Sequence, residues 1–174
     1  KQFLDNNAIK LIKDEKFIYF PLASEPEARI IVKSPFYTNQ ITLAENIAKS
    51  IPIDFILYVK EHPVQKIKLW RSIEDYQKLV DLPNVKLVHP NVNSQELILK
   101  SQGIVSISGS TTFESIFYKK PVIIFTEEHY DVLSMVTKIK TLADLPNELN
   151  HALSNFKFNN NELNAFMEPF YQET

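Results

Sequence analysis

The residues of this chain that could do chemistry fall in a few short stretches. Ser108-Gly109-Ser110-Thr111-Thr112 gathers hydroxyls around one of only two glycines in the chain, the other being Gly103. If this turn opens a helix, free backbone N–H groups, the positive end of the helix dipole and several hydroxyls meet at one point, an arrangement suited to a phosphate. The ordinary alternative is a plain strand-to-helix turn. Glu114 falls one turn into the same helix. Its carboxylate could accept from ribose hydroxyls, or form a capping box with Thr111. In Lys60-Glu61-His62-Pro63 the proline holds the imidazole's backbone extended, and the ring could hydrogen-bond a phosphate or ribose. His89-Pro90 repeats the pair and is read as a surface loop. Glu25 and Glu27 flank Pro26. They are either a solvated acidic loop or the source of a general base for an acceptor hydroxyl. Glu127, Glu128 and His129 share one loop, but two carboxylates and one imidazole do not make a metal site by themselves, and no metal is assigned.

These stretches need strands to end on. Lys16–Leu22, Ile53–Val59, Val85–Val88, the run Ile104, Val105 and Ile107, and Val122–Phe125 are short, apolar and rich in β-branched or aromatic residues, as strands buried on both faces would be. Helical spacing is expected over Phe3–Lys13, Thr38–Ser50, Ser72–Val80 with Ser72 as N-cap, and Ser94–Ser101 with Asn93 and Glu96 as a capping box. It is also expected from Phe113 to the Lys119-Lys120-Pro121 stop, over Pro146–Phe156, and over Glu162–Tyr171. Ile30–Val32 is an extended piece of the loop after the first strand. Strands alternating with helices imply an α/β fold, a Rossmann-like parallel sheet with helices on both faces. Ligands of such sheets bind beyond the carboxyl ends of the strands, which is where every polar stretch above falls.

The chain has 174 residues, 44% hydrophobic, and a net charge of −2. That fits one domain with a real core over residues 1–174, with about 157–174 as a helical appendage. No long basic run is present, so a nucleic-acid partner is not expected. The absence of cysteine excludes a disulfide scaffold and a thiolate zinc site. No apolar run spans a membrane and no leader is visible, so a cytoplasmic location is expected.

FPLASEPEAR, VKEHP, LPNVKLVHPNVNSQELI, VSISGSTTFESIFYKKPVIIF and the following EEHY resemble, in order and spacing, bacterial capsule and surface polysaccharide biosynthesis proteins. These are glycosyltransferases of the GT-B type. The likeness covers about Phe17 to Tyr130, the C-terminal, nucleotide-sugar-binding half, and implies a separate N-terminal half of the same enzyme. It implies a CMP- or UDP-linked nucleotide-sugar donor as substrate, a glycan acceptor and no resident cofactor. Peripheral membrane association would run through the absent part. By the same resemblance His62, Pro63, Ser108, Gly109, Ser110, Thr111, Thr112 and Glu114 bind the nucleotide, and Glu25 or Glu27 serves catalysis. Similar proteins usually carry histidine where Ala23 stands and often glycine at Thr112, Lys119 and Thr126. The alternatives are a polyol-phosphate transferase of teichoic-acid type, a UDP-sugar 2-epimerase-like enzyme, and a non-catalytic domain that binds a nucleotide or a partner.

Overall fold

The computed structural model describes residues 2–25, 35–66 and 71–172. The short apolar runs form β1 (Phe17–Pro21), β2 (Ile56–Lys60), β3 (Val85–Val88), β4 (Gly103–Ser106), β5 (Val122–Ile124) and β6 (Val136–Lys138). All five strand pairings are parallel and give the order β3-β2-β1-β4-β5-β6. This is the order of a Rossmann-like sheet, with its topological switch point between β1 and β4. The helices are α1 (Gln2–Asn7), α2 (Gln40–Ser50), α3 (Ile73–Val80), α4 (Ser94–Lys100), α5 (Ser110–Phe117), α6 (Leu145–Ser154) and α7 (Asn160–Gln172).

Strand residues alternate between the two faces of the sheet. Ile18, Phe20, Leu57, Val59, Val105 and Ile123 pack with Leu4, Ile41, Ala44, Tyr76, Leu79 and Leu149, so α1, α2, α3 and α6 cover one face. Phe17, Tyr19, Tyr58 and Ile104 pack with Leu97 and Ile98 of α4, and Val122 and Ile124 with Ile116 of α5 and Leu163 of α7. The expected caps form. Ser72 Oγ accepts from the Asp75 amide at 3.1 Å, and Asn93 Oδ1 from Gln95 and Glu96 at 2.8 and 3.3 Å. The Asn93 box is half made, because Glu96 turns to Lys100 at 2.8 Å instead.

Four expectations change. The helix expected over Phe3–Lys13 stops at Asn7, and Ile9 instead makes a parallel bridge to Val88, donating to Leu87 O and accepting from His89 N. An open edge of β3 wins over helical propensity there. Strand β2 starts at Ile56, leaving Ile53 fully exposed. Strand β6 was not expected, because its three residues, Val136-Thr137-Lys138, are too few and too polar to signal a strand. Helix α5 starts at Ser110 behind Gly109, ahead of the Thr111 cap and the Phe113 start of helical spacing expected for it. Ile30–Val32 lies outside the described residues.

Candidate functional site

Gly109 follows β4 with φ 125° and ψ 170°, a conformation only glycine enters at low cost. Beyond its two chain neighbours, no atom of the described residues lies within 4 Å of where its Cβ would be, so the backbone there borders open space. Having no side chain, Gly109 cannot cap α5, and the amides of Ser110, Thr111 and Thr112 are left as the orphan donors of the helix start. Ser108 and Thr111 are half-buried and Ser110 is exposed. Thr112 faces inward with no exposed surface. Its hydroxyl donates to Gly109 O at 2.5 Å and meets the Tyr130 hydroxyl at 2.6 Å, pinning the turn from beneath. What Thr112 can offer a ligand is therefore its backbone amide. Thr111 and Glu114 form no capping box, since the cap position belongs to Gly109. Glu114 is exposed on α5. Glu114→Gln is thus expected to change stability by no more than about 0.5 kcal/mol in thermal or urea melts. A larger loss would mean that the carboxylate supports the fold.

Two strands away, the end of β2 carries a buried ionic cluster. Glu61 has no exposed surface, and its Oε2 accepts from Arg71 Nε at 2.9 Å and from the Tyr76 hydroxyl at 2.8 Å. Its Oε1 accepts from the His62 amide at 2.7 Å, so the carboxylate orients the His-Pro backbone. Arg71 also donates to Ala23 O at 2.8 Å and pairs with Glu25. Burial works against the Arg71 charge, but Glu61 and Glu25 overcome it and hold the guanidinium pKa above its ordinary value. Buried Gln40 clasps the same loop. It accepts from Ala23 N at 2.7 Å and donates to Glu25 Oε1 at 2.8 Å. Gln65 accepts from the Glu25 amide at 2.9 Å, tying the loop after β1 to the loop after β2. Glu25 is therefore one member of a braced network, its side chain 38% exposed. Glu27 lies outside the described residues.

His62 is half-buried, and Pro63 opens a 3-10 turn, Pro63–Lys66. The Val64 amide donates to His62 Nδ1 at 3.2 Å. An Nδ1 that accepts places the proton of the neutral ring on Nε2. Among the described residues no group bonds that Nε2, so it remains a donor. His89 repeats the geometry, its Nδ1 accepting from the Asn91 amide at 3.2 Å. There, however, Asp5 Oδ1 already sits 3.1 Å from Nε2. Of two similarly built His-Pro turns, one meets a carboxylate of its own chain and the other has no such partner among the described residues.

The family of capsule polysaccharide biosynthesis proteins matches residues 1–160. This chain belongs to that family. No curated protein matches it. Among solved structures it is similar to KpsC of Thermosulfurimonas dismutans, described as a beta Kdo 2,7 transferase, at 21% identity and a TM-score of 0.61 over 95% of this chain and 49% of that one. It is also similar to the UDP-GlcNAc 2-epimerase of Methanocaldococcus jannaschii in complex with UDP-GlcNAc and UDP, at 19% identity and a TM-score of 0.59 over 99% and 48% of the two chains. At these identities the likeness concerns the fold. The capsule-family chain spans about half the length of either structure.

In this family member the loops after β1 and β2 are joined by Arg71, Gln40 and Gln65, and the glycine turn stands on the far side of β1. Arg71, Gln40, Gln65 and Tyr130 carry no sequence signal for these roles, because their partners lie 10 to 48 residues away. Among the described residues no group of three or more His, Cys, Asp or Glu is placed to hold a metal ion, and no helix is long and apolar enough to cross a membrane.

Proposed function

We propose that this chain is the nucleotide-sugar-binding half of a glycosyltransferase for capsule or surface polysaccharide, with a CMP- or UDP-linked donor seated at the carboxyl edge of the sheet. The observation that carries this reading is the unspent Nε2–H of His62, held outward by its Nδ1 bond, on the same edge as the uncapped start of α5. A phosphate there accepts from an imidazole N–H and from the amides of Ser110 to Thr112. Those dipoles are already oriented, so they stabilise charge that develops on the leaving nucleotide without reorganising. Ser108, Gly109, Ser110 and Thr111 line the phosphate side, Pro63 shapes the His62 loop and Glu114 reaches the ribose. Glu25, braced by Arg71 and Gln40, is the general base candidate among the described residues, with Glu27 as its neighbour in sequence. A glycan acceptor, an N-terminal half of the same enzyme closing over the edge and a cytoplasmic location belong to the same reading. Family membership supports it.

Calorimetry with CMP, UDP, CDP and GDP tests this. One of these nucleotides is expected to bind, and His62→Ala to weaken it by about 1.5–3 kcal/mol, the scale of a hydrogen bond to a charged group, with little change in melting temperature. Glu114→Gln is expected to lose at least roughly tenfold in affinity, about 1.4 kcal/mol. Equal affinity in wild type and His62→Ala would remove His62 from the site.

A further inference from the structure

Lys60 is the last residue of β2, and the alternation of the strand turns its side chain toward the face covered by α4 and α5, the side of Tyr58 and Tyr19. It is 4% exposed. Its ammonium donates to Ser94 Oγ at 2.6 Å, and Ser94 stands beside the phenol of buried Tyr19. Among the described residues no carboxylate pairs with Lys60. The nearest buried carboxylate in sequence, Glu61, turns to the opposite face and is engaged by Arg71 and Tyr76. Glu114, whose charge is felt at Tyr19, is exposed on α5. An ammonium has three donors, and here one is used.

Buried charges are normally paired, and an unpaired one costs the fold. Burial accordingly pushes the Lys60 pKa down. The fold gains nothing from a cation there that an apolar chain of equal length would not supply better. Ser94 is half-exposed, so the hydroxyl that meets the ammonium belongs to a residue that reaches solvent. An oxyanion arriving over Ser94 could accept from the hydroxyl and the ammonium together and bring the missing negative charge.

We propose that Lys60 and Ser94 form an oxyanion subsite that takes a phosphoryl group, separate from the His62 loop and on the α4 side of the same edge. The inference rests on the nucleotide reading above insofar as the phosphoryl group belongs to a nucleotide; inorganic pyrophosphate carries the same chemistry alone.

The test is Lys60→Met in the full chain, by calorimetry with pyrophosphate, UDP, CMP and the free nucleosides uridine and cytidine, together with thermal melts. The variant is expected to lose at least tenfold in affinity for the phosphorylated probes, to leave any nucleoside affinity unchanged, and to melt above wild type, because it removes an uncompensated buried charge. Ser94→Ala, which keeps the ammonium, is expected to show a smaller loss of the same kind and serves if Lys60→Met does not fold. Unchanged affinity for phosphorylated probes in both variants overturns the subsite. So does a Lys60→Met variant that melts lower and loses nucleoside and nucleotide binding alike, since that marks a structural lysine. Pyrophosphate binding that Lys60→Met abolishes, in a protein without nucleotide affinity, supports the subsite and overturns the nucleotide reading. Nucleotide binding lost in His62→Ala but untouched by Lys60→Met and Ser94→Ala does the reverse. Wild-type protein that binds neither pyrophosphate nor nucleotide overturns both.

Discussion

Arg71→Met is expected to cost about 3–5 kcal/mol of folding stability, the range for removing one partner of a buried ion pair. The arginine side chain is 4% exposed and that of Glu61 0%. Methionine fills much of the volume but leaves the Glu61 carboxylate sealed in the core with only the Tyr76 hydroxyl and the His62 amide as donors. It also takes one donor from Glu25 and one from the Ala23 carbonyl, leaving the loop after β1 held by Gln40 and Gln65. Against a typical total of about 5–15 kcal/mol this is a large share. The exposed Lys16–Asp54 pair is the contrast, with side chains 62% and 54% exposed; such pairs contribute about 0–1 kcal/mol. Urea denaturation of wild type, Arg71→Met and the double variant Arg71→Met/Glu61→Leu would check this. The double variant should recover part of the loss, because it removes the stranded charge. A single-variant loss below about 1 kcal/mol would contradict the cluster's place in the fold.

The second large effect is alkaline unfolding. Tyr19, Tyr58 and Tyr76 are at most 2% exposed. Burial pushes the Tyr19 phenol up to about 12. Burial, with Glu15 beside it, raises Tyr58, and burial, with Glu61 beside it, raises Tyr76. Unfolded tyrosines ionise near 10. Below that pH both states hold the proton and the contribution to stability is complete. Above it the unfolded chain sheds protons that the folded chain retains, so stability falls as pH climbs through the folded value. By pH 12 Tyr19 alone accounts for a loss on the order of 2–3 kcal/mol, and the other two add to it. Phenolate absorbance followed together with circular dichroism should show these tyrosines ionising in the same step that the fold is lost. Smooth titration of all seven tyrosines near pH 10, with secondary structure intact, would contradict the described burial.

Much of the scaffold was legible because local rules decide it. Apolar runs too short for helices had to be buried strands, and Ser72 and Asn93 had to cap what followed them. Ile9 was misread because an edge strand recruited it, which no window around Ile9 contains. The glycine turn was placed correctly, but its cap was not: positive φ at Gly109 moved the helix start ahead of the Thr111–Glu114 pattern. The braced cluster was out of reach, since Arg71 reaches back 48 residues to Ala23 and Gln40 reaches back 15 to Glu25. Lys60 carries no sequence signal of its burial, because a strand buried on both faces has no inside–outside period that would assign its last residue to a face.

The bridge at Ile9 bears on how copies of this chain behave toward one another. Strand β3 ends the sheet, and its outward backbone groups are a template on which a foreign strand could assemble. Ile9 occupies two of them, donating to the Leu87 carbonyl at 2.8 Å and accepting from the His89 amide at 2.9 Å. Asp5 clamps that stretch through the His89 ring. Residues 2–10 thus cover part of an edge that would otherwise be open to pairing, and the second His-Pro turn, its ring engaged by Asp5, fastens them there.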